Sequence, residues 1–219
     1  MMGAVFSLFF TDFALGYIKG EIAPTLKGVK ILAVIAPQKF RDEELFVPKK
    51  YWETRGAKVD VASLGLKPGQ YAHGMLGARA RITVSFLKAL RRVKKGYYDV
   101  FYLVGGTGSV IYADTSMKSV RAMKETLSYA IRFGKIRVLA AICLGPSVLA
   151  RLGLIRGATV AGWKGSAKII NRNGARWVPR SVFVCDALGK VRLVTGAGPF
   201  AARTLAEKVE GALLRKALR

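Results

Sequence analysis

Short apolar runs alternate along most of the chain with segments of helical periodicity. The apolar runs are rich in Val, Ile, Leu and Ala and end at Gly, Pro or Cys, which is typical of buried strands in parallel sheets. Strands are predicted at 29–37, 57–65, 100–106 and 137–143, with a small edge strand at 77–84 and later strands near 158–163, 181–187 and 191–198. Helices are predicted at 41–56, 86–96, 119–134, 146–157 and 201–218. This alternation predicts an α/β fold with a mostly parallel sheet.

The apolar run at 137–143 ends at Cys143, and Gly145 and Pro146 follow at once. One interpretation is a small buried thiol at the end of a core strand. The other is a nucleophile at a sharp strand-to-helix turn, at the sheet edge where open α/β folds bind ligands. The backbone N–H groups of Leu144 and Gly106 would then converge on an oxyanion, and the helix start would lower the pKa of the thiol. The spacing alone leaves both interpretations open.

The segment AICLGPSVLA around Cys143 resembles the nucleophile elbow of the ThiJ/PfpI superfamily, whose members are relatives of the class I glutamine amidotransferases. Four further blocks are similar in the same order: KILAVIAPQKFRDEELFVP, KVDVAS, YDVFYLVGG, and LVTGAGP with the last helix. The similarity covers residues 29 to about 214. It implies a flavodoxin-like three-layer sandwich with a mostly parallel central sheet.

By position, the resemblance implies that Glu44, four residues before Pro48, is the glutamate that touches the reactive thiol. A carboxyl group beside a thiolate shares a proton with it, so the pairing implies a partly protonated Glu44. The alternative is a solvated acid in the first turn of a helix, next to Asp42 and Glu43, where the helix dipole favours negative charge.

The chain departs from the family pattern where the family places its basic groups. Leu144 stands in the place of the histidine that follows the cysteine in PfpI-type proteases, and Trp163 stands where other members carry a histidine twenty residues after the cysteine. Gly196 and Ala197 replace a Ser-Arg pair. The chain is therefore identified as a divergent member that lacks the usual histidine, which weighs against peptidase chemistry that needs a base. The single histidine, His73, is expected in a surface loop.

Composition adds a strong positive charge. The 219 residues include 37 Lys and Arg but 13 Asp and Glu, which gives a net charge of +24 at pH 7. The cations are scattered along the sequence rather than clustered on one helix, and the chain has only two Asn and two Gln, as in thermophile proteins. We expect nucleic-acid binding that is weak and non-specific at most.

Two cysteines, Cys143 and Cys185, cannot form a disulfide framework, which favours a reducing, cytoplasmic location. Cys185 is expected to be a strand residue without a catalytic role. One histidine and two distant cysteines cannot supply a standard zinc site, and GGTGS at 105–109 lacks the lysine of a Walker motif, so no metal and no cofactor are expected.

Residues 1–28 are predicted to form an apolar N-terminal extension, followed by a single ThiJ/PfpI-like domain at 29–219. The apolar stretch is shorter than a bilayer span and is interrupted by Asp12, so no membrane span is predicted, with a membrane-surface anchor as the alternative. Its large side chains would not stay exposed to water, which favours a docking arm and a homo-oligomer, a dimer or larger. They are Phe6, Leu8, Phe9, Phe10 and Phe13.

The family implies a stress-response protein whose thiol acts on small molecules. The first form is a glyoxalase or deglycase that adds Cys143 to a small reactive aldehyde such as methylglyoxal. The second is an oxidation sensor or holdase whose thiol reacts with peroxide, and the absence of the usual histidine favours this second form. A PfpI-type intracellular cysteine peptidase and a basic nucleic-acid-associated protein are the alternatives, so whether the chain is an enzyme stays open.

Overall fold

The computed structural model describes residues 25–215 of the chain, so the predicted apolar arm, from Phe6 to Phe13, lies outside the described residues. The strands are β1 (Lys30–Ile35), β2 (Gln38–Phe40), β3 (Lys58–Ser63), β4 (Tyr71–Gly74), β5 (Arg79–Arg81), β6 (Val100–Leu103), β7 (Val138–Ile142), β8 (Thr159–Val160), β9 (Arg176–Trp177), β10 (Val182–Leu188) and β11 (Val191–Gly196). The helices are α1 (Asp42–Thr54), α2 (Phe86–Lys94), α3 (Lys118–Arg132), α4 (Gly145–Arg151), α5 (Ala167–Arg172) and α6 (Ala202–Leu214).

The central sheet has six strands in the order β10-β11-β7-β6-β1-β3. Five of them run parallel, and β10 at one edge is antiparallel to β11. The predicted mixed α/β fold with a mostly parallel sheet is therefore confirmed. The chain moves from β1 to β3 on one side and then returns to β6 on the other, so its direction reverses at β1. Open α/β sheets bind ligands at the carboxyl ends of the strands beside such a reversal.

Helices cover both faces of this sheet. Helix α1 packs against α6, and α2 packs against α3. Right-handed connections place helices on opposite faces when the direction of strand addition reverses, which explains the three layers. Strands β6 and β7 are buried at every position, as expected for strands covered on both faces. The apolar core therefore holds in place the loops that follow β1, β6 and β7.

Strands β2, β4 and β9 and helix α5 were not predicted, whereas β5 and β8 lie within the strands predicted at 77–84 and near 158–163. Strands β2, β4 and β5 form a separate three-stranded sheet, β8 and β9 form a two-stranded one, and α5 has six residues. His73, expected in a loop, lies in β4 and is exposed. Such elements have two to six residues, too few for hydrophobic periodicity to be read from the sequence.

The end of the predicted extension packs onto the domain. Leu26 is fully buried, and its backbone N–H donates a hydrogen bond to the carbonyl of Arg55. The Thr25 hydroxyl donates to the carboxylate of Glu210 in α6, which also accepts from the Tyr51 hydroxyl of α1. Residues 25–28 thus pack against the layer that α1 and α6 form together. Between residues 25 and 215, no helix is long and apolar enough to span a bilayer.

Candidate active site

Cys143 forms a strained turn between β7 and α4. It has a φ of 59°, a value that residues with a side chain adopt rarely and at a cost. Two backbone hydrogen bonds hold the turn: the N–H of Cys143 donates to the carbonyl of Gly196 at 2.8 Å, and its own carbonyl accepts from the N–H of Trp163 at 2.9 Å. The end of strand β11 and the segment that follows β8 therefore stabilise the backbone conformation at which the chain leaves β7.

The three acids at the start of α1 have three different environments. Asp42 is buried, and its two carboxylate oxygens accept hydrogen bonds from the backbone N–H groups of Leu76 and Ala78, each at 2.9 Å. Glu43 pairs with the guanidinium of Arg41 through two hydrogen bonds of 2.8 and 3.0 Å. Glu44 is fully buried, so it is not the solvated first-turn acid that the alternative interpretation described.

The backbone carbonyl of Glu44 accepts its hydrogen bond from a tyrosine, because the residue four positions later in the helix is a proline. Pro48 has no N–H and cannot give the carbonyl of Glu44 its usual helical hydrogen bond. The Tyr102 hydroxyl, on the buried strand β6, donates to that carbonyl instead, at 2.5 Å. The ring of Tyr102 packs edge-on against Trp52 of α1, with ring centroids 5.3 Å apart. The two contacts of Tyr102 therefore fix both the start and the end of α1 relative to the sheet.

Glu44 and Cys143 lie on either side of Gly105. A Cβ atom at Gly105 would come within 2.4 Å of Oε2 of Glu44 and 2.6 Å of Cβ of Cys143, so the two side chains can approach only because this residue is a glycine. Within residues 25–215, neither carboxyl oxygen of Glu44 has a hydrogen-bonded nitrogen or oxygen partner. The carboxyl group is therefore desolvated and faces the thiol.

Burial raises the pKa of Glu44 from 4.5 to about 7. The Cys143 thiol, the positive charge of Arg41 and the backbone of Gly105 oppose this rise but do not cancel it. Near neutral pH the Glu44 carboxyl group is therefore partly protonated, as the resemblance implied, because a buried carboxylate is poorly solvated.

Burial, followed by the charge of the Glu44 carboxylate, raises the pKa of Cys143 from 9.0 to about 12. This direction is opposite to the predicted lowering, because desolvation outweighs the backbone N–H groups of Gly106 and Leu144. Those two groups act on the sulfur and lower its pKa, but by less than burial raises it. Since protonation of Glu44 removes the repulsion between the two groups, the pair as a whole, rather than either residue, sets the acidity of the site.

A cleft of about 320 Å³ opens above the pair. It is lined by Arg41, Glu44, Met75, Gly106, Thr107, Cys143, Leu144, Trp163 and Pro199. Four of these residues were not predicted as site residues from the sequence: Arg41, Met75, Thr107 and Pro199. Arg41 directly precedes the three acids of α1, which was the available signal for it. The position of Met75 depends on the hydrogen bonds from residues 76 and 78 to Asp42, which the sequence does not show.

The other residues that the sequence analysis considered lie elsewhere. His73 does not line the cleft and is exposed on β4. Cys185 is half-buried in the edge strand β10, opposite Leu193 of β11. No group of three or more His, Cys, Asp or Glu side chains suited to a metal ion occurs within residues 25–215.

The fold and the cleft define a flavodoxin-like α/β protein with a cysteine at its strand-to-helix turn and a buried glutamate beside it. Residues 29–210 match the model of the DJ-1/PfpI family, and the chain belongs to that family. It is 39% identical over 166 residues to an uncharacterised protein of Methanocaldococcus jannaschii, with 75% of each chain covered. It is also 25% identical over 152 residues to a deglycase of Pyrococcus abyssi, and this match covers 69% of this chain and 82% of the relative.

Solved structures show the same fold. A ThiJ/PfpI domain protein from Brachyspira murdochii superposes with a TM-score of 0.71 at 24% identity, covering 85% of this chain and 97% of that one. DJ-1beta of Drosophila melanogaster superposes with a TM-score of 0.69 at 24% identity, covering 86% and 91%. The three-layer architecture is therefore shared with these proteins.

Proposed function

We propose that the protein is a stress-response enzyme of glyoxalase or deglycase type, in which Cys143 adds to a small reactive aldehyde. The observation that carries the proposal is the fully buried carboxyl group of Glu44, which faces the Cys143 thiol across Gly105. Desolvated acids next to a nucleophile are typical of sites that move protons. The deglycase from Pyrococcus abyssi, at 25% identity, supports this class of chemistry.

In the first step, the sulfur of Cys143 forms a bond to the carbonyl carbon of the aldehyde. The electron pair of the C=O bond moves to the oxygen, where the backbone N–H groups of Gly106 and Leu144 stabilise the developing charge. The thiol proton passes through Glu44 to that oxygen, and the product is a hemithioacetal. The pair thus exchanges one proton without the missing histidine.

In the second step, Glu44 removes the proton from the carbon bonded to sulfur when the substrate is a 2-oxoaldehyde. That proton returns to the neighbouring carbon, while the hydroxyl proton of the hemithioacetal passes to the neighbouring carbonyl oxygen, and the hemithioacetal becomes a thioester of a 2-hydroxy acid. Water then cleaves the C–S bond, releases the hydroxy acid and restores the thiol. The aldehyde carbon is oxidised and its neighbour reduced, so no external oxidant or cofactor is needed.

The test is the formation of lactate from methylglyoxal by the wild type and three variants, with a peptidase assay in parallel. We expect Cys143→Ala to abolish lactate formation and Glu44→Gln to lower its rate by about 10²-fold or more, as for loss of a general acid–base group. Cys185→Ala, in the edge strand, is the matched control and should keep the wild-type rate. Turnover that survives Cys143→Ala would contradict the proposal.

The same assay separates the oxidation-sensor alternative. The missing histidine favours it, and the N–H groups of Gly106 and Leu144 would hold a sulfinate as well as an alkoxide. If neither the wild type nor any variant forms lactate, and if dilute peroxide oxidises Cys143 in preference to Cys185, the protein is an oxidation sensor rather than a glyoxalase. Peptide mapping by mass spectrometry measures the oxidation at each cysteine.

A further inference from the structure

The walls of the Cys143 cleft are mostly apolar above the reacting groups. Met75, Leu144, Trp163 and Pro199 contribute hydrocarbon or aromatic surface. The one cationic side chain among its lining residues, that of Arg41, is already bound by both carboxylate oxygens of Glu43. A substrate carboxylate would have to compete with that ion pair and would lie close to the Glu44 carboxyl group. The cleft therefore disfavours an anionic substituent next to the reacting carbonyl.

Trp163 is held as a fixed surface at the mouth of the cleft. Its backbone N–H donates to the carbonyl of Cys143 at 2.9 Å, which sets its distance from the nucleophile. Its six-membered ring packs directly on Gly165, where a Cβ atom would lie 2.4 Å from the ring. Even so, Trp163 is 51% exposed, although a tryptophan is normally covered. A ring that is fixed in position and half exposed beside a cysteine is suited to contact with a ligand.

We propose that the cleft selects carbonyl compounds that carry an apolar, phenyl-sized substituent and no carboxylate, with the substituent resting on the Trp163 ring. The inference rests on the proposed function, since it takes Cys143 as the group that attacks the carbonyl carbon. The cleft has about 320 Å³, and a cavity of roughly 150 Å³ accommodates benzene. Space is therefore available for an aromatic ring together with the reacting carbonyl.

The first test compares two thiol reagents that differ only by a phenyl group, iodoacetamide and iodoacetanilide. With either reagent the sulfur displaces iodide: a C–S bond forms, the C–I bond breaks and the thiol proton goes to solvent. Peptide mapping gives the ratio of the two rates at Cys143 and, in the same sample, at Cys185. We expect the ratio of the iodoacetanilide rate to the iodoacetamide rate to be about tenfold higher at Cys143 than at Cys185. This is the effect on a rate of one aromatic contact and of the apolar area that it buries.

Two variants should remove this preference. Trp163→Ala deletes the ring, and Gly165→Ala displaces it, so both should bring the ratio at Cys143 close to that at Cys185. Phe133→Ala is the matched control, because Phe133 is 53% exposed but lies after α3, before the amino end of β7. It should leave the ratio unchanged. Equal rates for the two reagents at Cys143, or a preference that survives Trp163→Ala, would overturn the inference.

A binding measurement keeps the inference separate from the chemistry. Titration calorimetry of Cys143→Ala with two unreactive compounds, acetanilide and acetamide, should show saturable binding of acetanilide but not of acetamide. Adding Trp163→Ala to this variant should abolish the binding of acetanilide. If this holds while no aldehyde is turned over, the proposed function fails and the inference about the cleft stands. If lactate forms from methylglyoxal but acetanilide does not bind, the proposed function stands and the inference is wrong.

Discussion

Cys143 and Glu44 share surroundings that solvate at most one negative charge. Burial raises the pKa of both groups; the Glu44 carboxylate raises the pKa of Cys143 further, whereas the Cys143 thiol lowers the pKa of Glu44. The N–H groups of Gly106 and Leu144 favour charge on sulfur, because both act on the thiol. A thiolate beside a protonated Glu44 is therefore the charged form that these amides stabilise. This form is a minor one, because the pKa of Cys143 is about 12 and that of Glu44 about 7, so above pH 7 the charge of the pair lies mainly on Glu44.

The raised pKa of Glu44 makes stability depend on pH. The pKa is about 7 in the folded chain and 4.5 for an ordinary Glu, so between these values the unfolded chain releases a proton that the folded chain keeps. Stability therefore falls as the pH rises through this window, by about 3 kcal/mol in total. Because Glu44→Gln does not titrate, its free energy of unfolding relative to the wild type should rise by about that amount between pH 4.5 and 8.

Denaturant titrations at a series of pH values measure this difference. Glu43→Gln is the control, because Glu43 is partly exposed and pairs with Arg41 outside the core, and its difference from the wild type should show no such rise. A difference between Glu44→Gln and the wild type that stays constant from pH 4.5 to 8 would mean that Glu44 titrates alike in both states.

The sequence indicated which residues meet at this site better than it indicated their acidity. Cys143, Glu44, Gly106 and Leu144 could be named from the elbow and from the family resemblance, since each follows a strand or begins a helix. The helix-start amides that lower a thiol pKa are visible in the sequence as a strand followed by Gly-Pro. Desolvation is not, because it depends on what covers the sulfur, and here it outweighs those amides.

Helix α1 is positioned by a hydrogen bond from a different element. Because Pro48 removes the helical donor for the carbonyl of Glu44, Tyr102→Phe should leave that buried carbonyl unpaired and cost about 1–3 kcal/mol. In Pro48→Ala the restored N–H can donate to the same carbonyl, so Tyr102→Phe should cost less in that background. A double-mutant cycle by chemical denaturation should give a coupling of about 1 kcal/mol. Equal costs in both backgrounds would show that the hydroxyl does not replace the helical bond.

Elements that carry an apolar run or a helical periodicity of their own could be predicted from the sequence, and most of the shortest elements could not. The strands of the central sheet and helices α1, α2, α3, α4 and α6 have apolar runs or helical periodicity that span most of their length. The small sheet of β2, β4 and β5 depends instead on contacts between distant segments, such as the two hydrogen bonds from residues 76 and 78 to Asp42. That sheet supplies the wall that carries Met75, so part of the cleft could not be predicted.

At the scale of the whole molecule, one part of the fold carries many cations and no acids. Helices α4 and α5 pack together, and β9 packs on α5 and pairs with β8, so residues 145–180 form one lobe. There is no acidic residue between Glu125 and Asp186. Within the described chain, none of the exposed cations of this lobe makes an ion pair. They are Arg151, Arg156, Lys164, Lys168, Arg172, Arg176 and Arg180.

This lobe should dominate the attraction of the protein for polyanions. Because the cations offer charge without any ordered base-reading element, duplex DNA should bind weakly and without sequence preference, and binding should be lost by roughly physiological salt. Replacing Arg151, Lys168 and Arg172 with Ala should reduce the slope of log K against log salt concentration by about 2 to 3, since each phosphate contact contributes about 0.9. Fluorescence anisotropy with two unrelated duplexes at several salt concentrations measures both properties.

The control removes the same charge from a different surface, by replacing Lys88, Lys118 and Lys124 of α2 and α3 with Ala. If the lobe makes the phosphate contacts, this variant should keep most of the wild-type slope although its net charge falls equally. Equal losses for the two variants would mean that only the net charge of +24 matters, and that the lobe is no more than part of a uniformly basic surface. Tight binding that persists at high salt, or a preference between the duplexes, would instead indicate contacts to the bases that a field of exposed cations cannot provide.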